Sequence, residues 1–154
     1  MALAQNLNKV EVETLVPHTG KMFLLDRIVS HDVGCRTLIS EVDITTDNLF
    51  FDEELRGIPS WVGFEYMAQS VSALSGFFNK ELGVDPKIGF IVSVSNYTPS
   101  VFVFTPGKTV SVHVRESIRV ESTVTFEGKI FEEGTLVATA TLNAVEFDSV
   151  DAVK

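Results

Sequence analysis

The chain is poor in cysteine, in histidine and in positive charge. Its one cysteine, Cys35, in 154 residues excludes an internal disulfide and fits a reducing, cytoplasmic setting. Cys35 could serve as a nucleophile, but the plainer reading is an ordinary strand residue, since free Cys behaves as a small buried hydrophobe. Lys and Arg total 12 against 21 Asp and Glu, a formal net charge of −9. Phosphate backbones are held by clustered cations, so nucleic acid is excluded as the main partner. An anionic membrane surface is disfavoured for the same reason. The three histidines, His18, His31 and His113, show no metal-ligand spacing with each other or with Cys35. No Gly-rich phosphate loop or GxSxG elbow appears, so neither a metal nor a cofactor is expected. Long uncharged apolar runs are missing too. The most apolar stretch, Trp61 to Phe78, contains Glu65, Gln69 and three serines, which marks a buried core helix rather than a membrane span. The first ten residues, Met1 to Val10, lack the apolar core of a signal peptide.

What is present is a hydrophobic fraction of 45%, enough for a packed core. The length suggests a single domain over residues 1–154, with its core over about 15–147. Residues 1–14 read as a polar lead-in, and Pro17 to Lys21 as a turn. Met22 to Ser30 and Cys35 to Ile44 read as strands joined near Asp32-Val33-Gly34. Thr45 to Ser60, with Asn, Asp, Gly and Pro, reads as a long loop of the kind that carries function. Ser60 is placed as N-cap of a helix running to about Leu82, stopped by Gly83 and Pro86. After that the pattern turns to period two over Gly89 to Ser95, Val110 to Arg115, Val120 to Phe131 and Leu136 to Phe147, with Glu127-Gly128 and Glu133-Gly134 as turns. Asp148 to Lys154 reads as a frayed tail. Two strands, one helix apolar on nearly every side and four strands are most economically arranged as an α+β hotdog fold, one antiparallel sheet curled round the helix. Such a sheet leaves open edges, which pairing of two subunits repairs.

Glu65 stands near the helix start among Trp61, Phe64, Tyr66 and Met67. Apolar surroundings disfavour the ionised form of a carboxyl group, and proteins use this to prepare an acid or base for work near neutral pH. The plainer reading is a first-turn carboxylate stabilised by the helix dipole.

Leu15-Val16-Pro17-His18 leading into Phe23-Leu24-Leu25-Asp26-Arg27, then Glu65-Tyr66-Met67-Ala68-Gln69 on the helix, resembles the 3-hydroxyacyl-[acyl carrier protein] dehydratases. The likeness is greatest to the divergent branch associated with aryl polyene lipid pathways. It implies dehydration of carrier-bound 3-hydroxyacyl chains to 2-enoyl thioesters, with Glu65 as the catalytic carboxylate. It further implies a substrate region around Pro59, Trp61, Gly63, Phe64, Gln69 and Phe90. The family also carries Gly-His-Phe-Pro before the helix, and its His is the catalytic base. Here that stretch, Phe50 to Pro59, has no histidine.

His18 is the substitute base if this chain supplies one. His31, beside Asp32, reads as an exposed turn residue, and His113 as a packing residue on the sheet face opposite Val112 and Val114. The missing histidine raises an alternative, a catalytically incomplete subunit or acyl-binding module that pairs with another hotdog dehydratase. Thioester hydrolysis is a further alternative. The partners implied are an acyl carrier protein bearing a 3-hydroxyacyl chain and a second hotdog subunit, identical or different. Carrier proteins are acidic, so docking needs local cations despite the net charge. Lys21, Arg27, Lys80, Lys87, Arg115 and Arg119 are the candidates. Phe77, Phe78, Phe90, Phe102 and Phe104 are candidates to line an acyl tunnel, against the plainer reading of core.

Overall fold

A computed structural model describes residues 23–81 and 88–147, with residues 78–81, 88–92 and 146–147 described by backbone alone. In chain order the elements are β1 (Arg27–Asp32), β2 (Thr37–Asp43), β3 (Ile58–Pro59), a 3-10 turn (Ser60–Val62) and α1 (Gly63–Glu81). Then come β4 (Ile88–Pro99), β5 (Val103–Phe104), β6 (Thr109–Val120), β7 (Thr123–Glu132) and β8 (Thr135–Phe147). Six strands form one antiparallel sheet in the order β1-β2-β6-β7-β8-β4, and β3 pairs with β5 in a separate short ribbon. Helix α1 packs against β6, β2, β4, β7 and β8 of that sheet. This is the hotdog arrangement that the sequence suggests.

Alternation creates the concave face. Leu38 and Val42 on β2, Val110, Val112 and Val114 on β6, Val124, Phe126 and Ile130 on β7, and Leu142 and Ala144 on β8 are buried. They meet the helix stripe of Val62, Tyr66, Met67, Val71 and Leu74, also buried, whose spacing of three and four residues matches the helical repeat. Ser40 of β2 and Ser70 of α1 are both fully buried, with hydroxyls 2.7 Å apart, and Ser70 Oγ also donates to the Tyr66 carbonyl at 2.8 Å. An unpaired hydroxyl there would cost about 1–3 kcal/mol.

Several expectations need correction. Glu127-Gly128 is not a turn. Both lie within β7, and the reversal between β6 and β7 is at Glu121-Ser122, where Glu121 has φ 56°. Gly128 is required by close approach, because a Cβ there would lie 2.7 Å from Met67 Sδ and 3.0 Å from Leu142 Cδ1. By contrast, Glu133-Gly134 is a tight turn, with φ 49° and 83°, positive at both central residues as a short hairpin prefers. Cys35 is not on a strand but exposed in the turn between β1 and β2. The Asp32 side chain accepts the Cys35 N–H at 3.0 Å and closes that turn locally. His31 is not exposed. It lies on β1, is buried, and stacks on Phe77 of α1 with ring centroids 3.8 Å apart. The loop before the helix contains β3, which the sequence did not reveal. Ser60 is not a cap: it opens the 3-10 turn after Pro59, with no side-chain capping bond.

The first strand begins at Arg27 rather than Met22, and β6 runs on to Val120 rather than ending at Arg115. Gly83 and Pro86, the lead-in, the Pro17 turn and the tail lie outside the described residues. Among the described residues no helix is long and apolar enough to cross a membrane.

Candidate active site

The helix start is gripped from two sides through one residue. The Ser60 N–H donates to the Phe102 carbonyl at 2.9 Å. The Ser60 carbonyl accepts the Gly63 N–H and, at 2.5 Å, the Tyr97 hydroxyl. Pro59 immediately before it is fixed opposite Val103 in the short ribbon. The stretch from Pro59 to Gly63 is thus held by the segment Tyr97–Phe104, and α1 leaves it in a set direction.

Glu65 lies in the first turn of α1 and is half-buried. The enclosure that the sequence suggests is therefore incomplete. Phe64, Glu65 and Ala68 are partly buried, whereas Tyr66, Met67, Gln69 and Ser70 are buried. Gln69, one helical turn on, donates from Nε2 to Glu65 Oε1 at 3.2 Å. Its other amide atom, Oε1, accepts the Leu24 N–H at 2.9 Å. Both ends of the Gln69 amide are thus engaged, and the residue has no exposed surface.

The other expected site residues divide by exposure. Trp61 is 54% exposed, edge-on to Phe50 at 5.7 Å and stacked over Phe64 at 6.3 Å. Gly63 is buried, and the space beside its Cα is filled by the chain itself: a Cβ would lie 2.2 Å from Tyr97 Oη and 2.7 Å from Ile130 Cδ1. His18 and the side chain of Phe90 lie outside the described residues. Of the phenylalanines considered for a tunnel, those with described side chains lie apart: Phe77 stacks on His31, Phe104 is core against Tyr66 at 5.9 Å, and Phe102 is 94% exposed in a bend. The side chains of Phe78 and Phe90 are not described. A cavity of about 440 Å³ is lined among others by Phe23, Leu24, Asp26, Phe50, Ile58 and Tyr66.

The loop where the family histidine would stand is closed on itself. Asp52 and Gly57 form an isolated bridge, and Asp52 Oδ1 accepts the N–H groups of Glu54 and Leu55 at 2.9 and 3.1 Å. His113 lies on the outer sheet face, its Nε2 3.0 Å from Ser111 Oγ and its ring 4.7 Å from that of Phe131. Burial first, then the Lys129 ammonium, hold its pKa below the usual histidine value. Burial likewise pushes the Tyr66 and Tyr97 phenols well above their usual range, so both stay protonated donors. Among the described residues no three His, Cys, Asp or Glu side chains come together as metal ligands would.

The arginines considered for docking are paired with carboxylates. Arg27 binds Glu41 at 2.8 Å and Asp43, Arg115 binds Glu127, and Arg119 binds Glu116 at 2.8 Å. The Asp43 bond in particular raises the Arg27 pKa and lowers that of Asp43. Lys21, Lys87 and the side chain of Lys80 lie outside the described residues.

Two residues that sequence reasoning missed are Tyr97 and Leu24. The only hint of the first was the break in alternation at Asn96-Tyr97; for the second, a backbone N–H, there was none.

With this geometry in place, comparison with known proteins gives a consistent picture. Residues 10–154 match the family model described as ApeP-like, ApeP dehydratase. The 3-hydroxyacyl-[acyl-carrier-protein] dehydratase FabZ of Colwellia psychrerythraea is 28% identical over 135 residues, 86% of this chain and 88% of that protein. FabZ of Chlamydia trachomatis serovar L2 is 28% identical over 87 residues, 54% of this chain and 56% of that protein. That second match spans little more than half the length of the relative. Among solved structures, the dehydratase heterocomplex ApeI:P from Xenorhabdus doucetiae is similar in fold, with a TM-score of 0.82 at 23% identity, covering 92% of this chain and 94% of that one.

Proposed function

We propose a function starting from one fact: the chain belongs to the ApeP-like dehydratase family. On this reading it takes part in eliminating water from 3-hydroxyacyl chains held as thioesters on acyl carrier protein, in fatty acid or aryl polyene type synthesis. A base removes a proton from C2, the C3–O bond breaks, the hydroxyl leaves as water with a proton from an acid, and a C2–C3 double bond remains. The observation that carries the reading is Glu65, a half-open carboxyl group oriented by a buried amide at a helix start. In that place it serves as one of the two proton-transfer groups. A lone cysteine without a disulfide partner fits action in the cytoplasm.

The second proton-transfer group is a histidine. In this chain His31 is stacked under Phe77 and His113 is on the outer sheet face, which leaves His18. The alternative source is a second hotdog dehydratase subunit seated over Glu65. The partial exposure of Phe64 and Glu65, and the exposed rings of Trp61 and Phe102, favour that partner. So does the nature of the solved neighbour, a dehydratase heterocomplex. Among the candidates with described side chains, Arg27, Arg115 and Arg119 are already balanced by carboxylates, which favours a share for the partner in docking the carrier protein.

The test is to incubate the purified chain with a 3-hydroxyacyl carrier protein, alone and with a histidine-bearing dehydratase subunit, and to follow the acyl group by mass spectrometry. Loss of one water, alone or on mixing, supports the reading, and loss only on mixing assigns the histidine to the partner. Release of a free acid would replace dehydration with thioester hydrolysis. An unchanged acyl group in both mixtures would overturn the proposal.

A further inference from the structure

Strand β4 contains one residue more than its partner needs. Ser95 pairs with Thr141 and Thr98 with Thr139, so three steps on β4 face two on β8. Asn96 absorbs the extra residue with φ 55°. This is a β-bulge, a device that re-aims a side chain. Strict alternation from the inward Val94 would send Asn96 inward next. Instead Asn96 is exposed, and Tyr97 is the residue that packs against the core.

The re-aimed ring reaches the start of α1. Its hydroxyl donates to the Ser60 carbonyl at 2.5 Å, and it passes so close to Gly63 that any side chain there would meet it. The same carbonyl already receives the Gly63 N–H, so Tyr97 engages its remaining acceptor capacity. Burial keeps the phenol protonated, which makes the bond independent of pH in the working range. Glu65 follows Gly63 by two residues, less than one helical turn.

We propose that Tyr97 is a positioning residue for the elimination: its hydroxyl fixes the turn at Ser60 and, through it, the placement of Glu65 and of the first helical N–H groups. The role rests on the dehydratase reading above. It needs no contact between Tyr97 and substrate. A misplacement of order 1 Å at reacting groups costs up to about a hundredfold in rate, so loss of one anchoring bond would appear in turnover before it appeared in binding.

Tyr97→Phe keeps the ring and removes the bond. It is to be compared with the unaltered protein, each with the dehydratase partner, for kcat and KM, with amide hydrogen exchange over residues 63–66 measured in parallel. The expected result is a kcat lower by about tenfold to a hundredfold, an unchanged KM, a thermal midpoint lowered no further than the loss of one hydrogen bond accounts for, and faster exchange at the helix start. Unchanged kcat, or a rise in KM alone, would overturn the role. A thermal midpoint that falls further than one hydrogen bond accounts for, together with kcat, would reduce Tyr97 to a packing residue. Absence of turnover by the unaltered protein would remove the dehydratase reading and this role together. Unchanged exchange in Tyr97→Phe would refute the anchoring step alone.

Discussion

Gln69 and Glu65 form one hydrogen-bonded unit, Nε2 to Oε1 at 3.2 Å, while the far end of the same amide holds the Leu24 N–H at 2.9 Å. The carboxyl group is thus tied through a buried side chain to the segment that enters β1. Gln69→Leu should leave the Leu24 N–H unpaired at a cost of about 1–3 kcal/mol. The urea midpoint should fall with an unchanged slope. Turnover in the reconstituted system should fall further than stability accounts for, because Glu65 loses its orienting donor.

Gly128 sets how closely α1 approaches the sheet. Gly128→Ala places a methyl group 2.7 Å from Met67 Sδ. Overpacking of this kind costs about 1–3 kcal/mol, and the flexible Met67 side chain should keep alanine near the lower end. Gly128→Val should be worse. Met67→Ala, itself destabilising, should cost less in the Gly128→Ala background than in the original protein, a coupling visible in a double-mutant cycle of urea midpoints.

His113 should give stability a measurable pH dependence. Its pKa in the folded chain is held below the unfolded value of about 6.5 by burial and by Lys129. The unfolded chain therefore binds the proton more readily. The penalty is absent above the unfolded value and grows as pH falls from there through the folded pKa. His113→Gln should remove this component, so the stability difference between variant and original protein should shift in favour of the variant as pH falls below 6.5. A difference that stays flat from pH 8 to pH 5 would contradict the assignment.

Much of the fold was legible because its signals are local. The alternation through Val110, Val112 and Val114 and the long apolar helix suffice for a sheet around a helix, and both are present. What was misread depends on distant contacts. Glu127-Gly128 has the composition of a turn, yet its glycine answers to Met67 on the helix. Cys35 has the preferences of a buried residue, but Asp32 closes the turn beneath it and leaves it outside. His31 has polar neighbours in sequence and Phe77 in space. At the site, Glu65 stood out as a carboxylate among rings. The role of Gln69 depends on a bond to Leu24, 45 residues away, and that of Tyr97 on a bulge at Asn96. Neither contact leaves a periodic trace in the chain.

The account turns on Glu65 as a proton-transfer group, and Glu65→Gln tests it with almost no change of shape. Turnover of a 3-hydroxyacyl carrier protein, measured with the dehydratase partner present, should fall by about a hundredfold to ten-thousandfold, while the unfolding midpoint and the assembly with the partner stay as they were. Full turnover by the Glu65→Gln protein would contradict it.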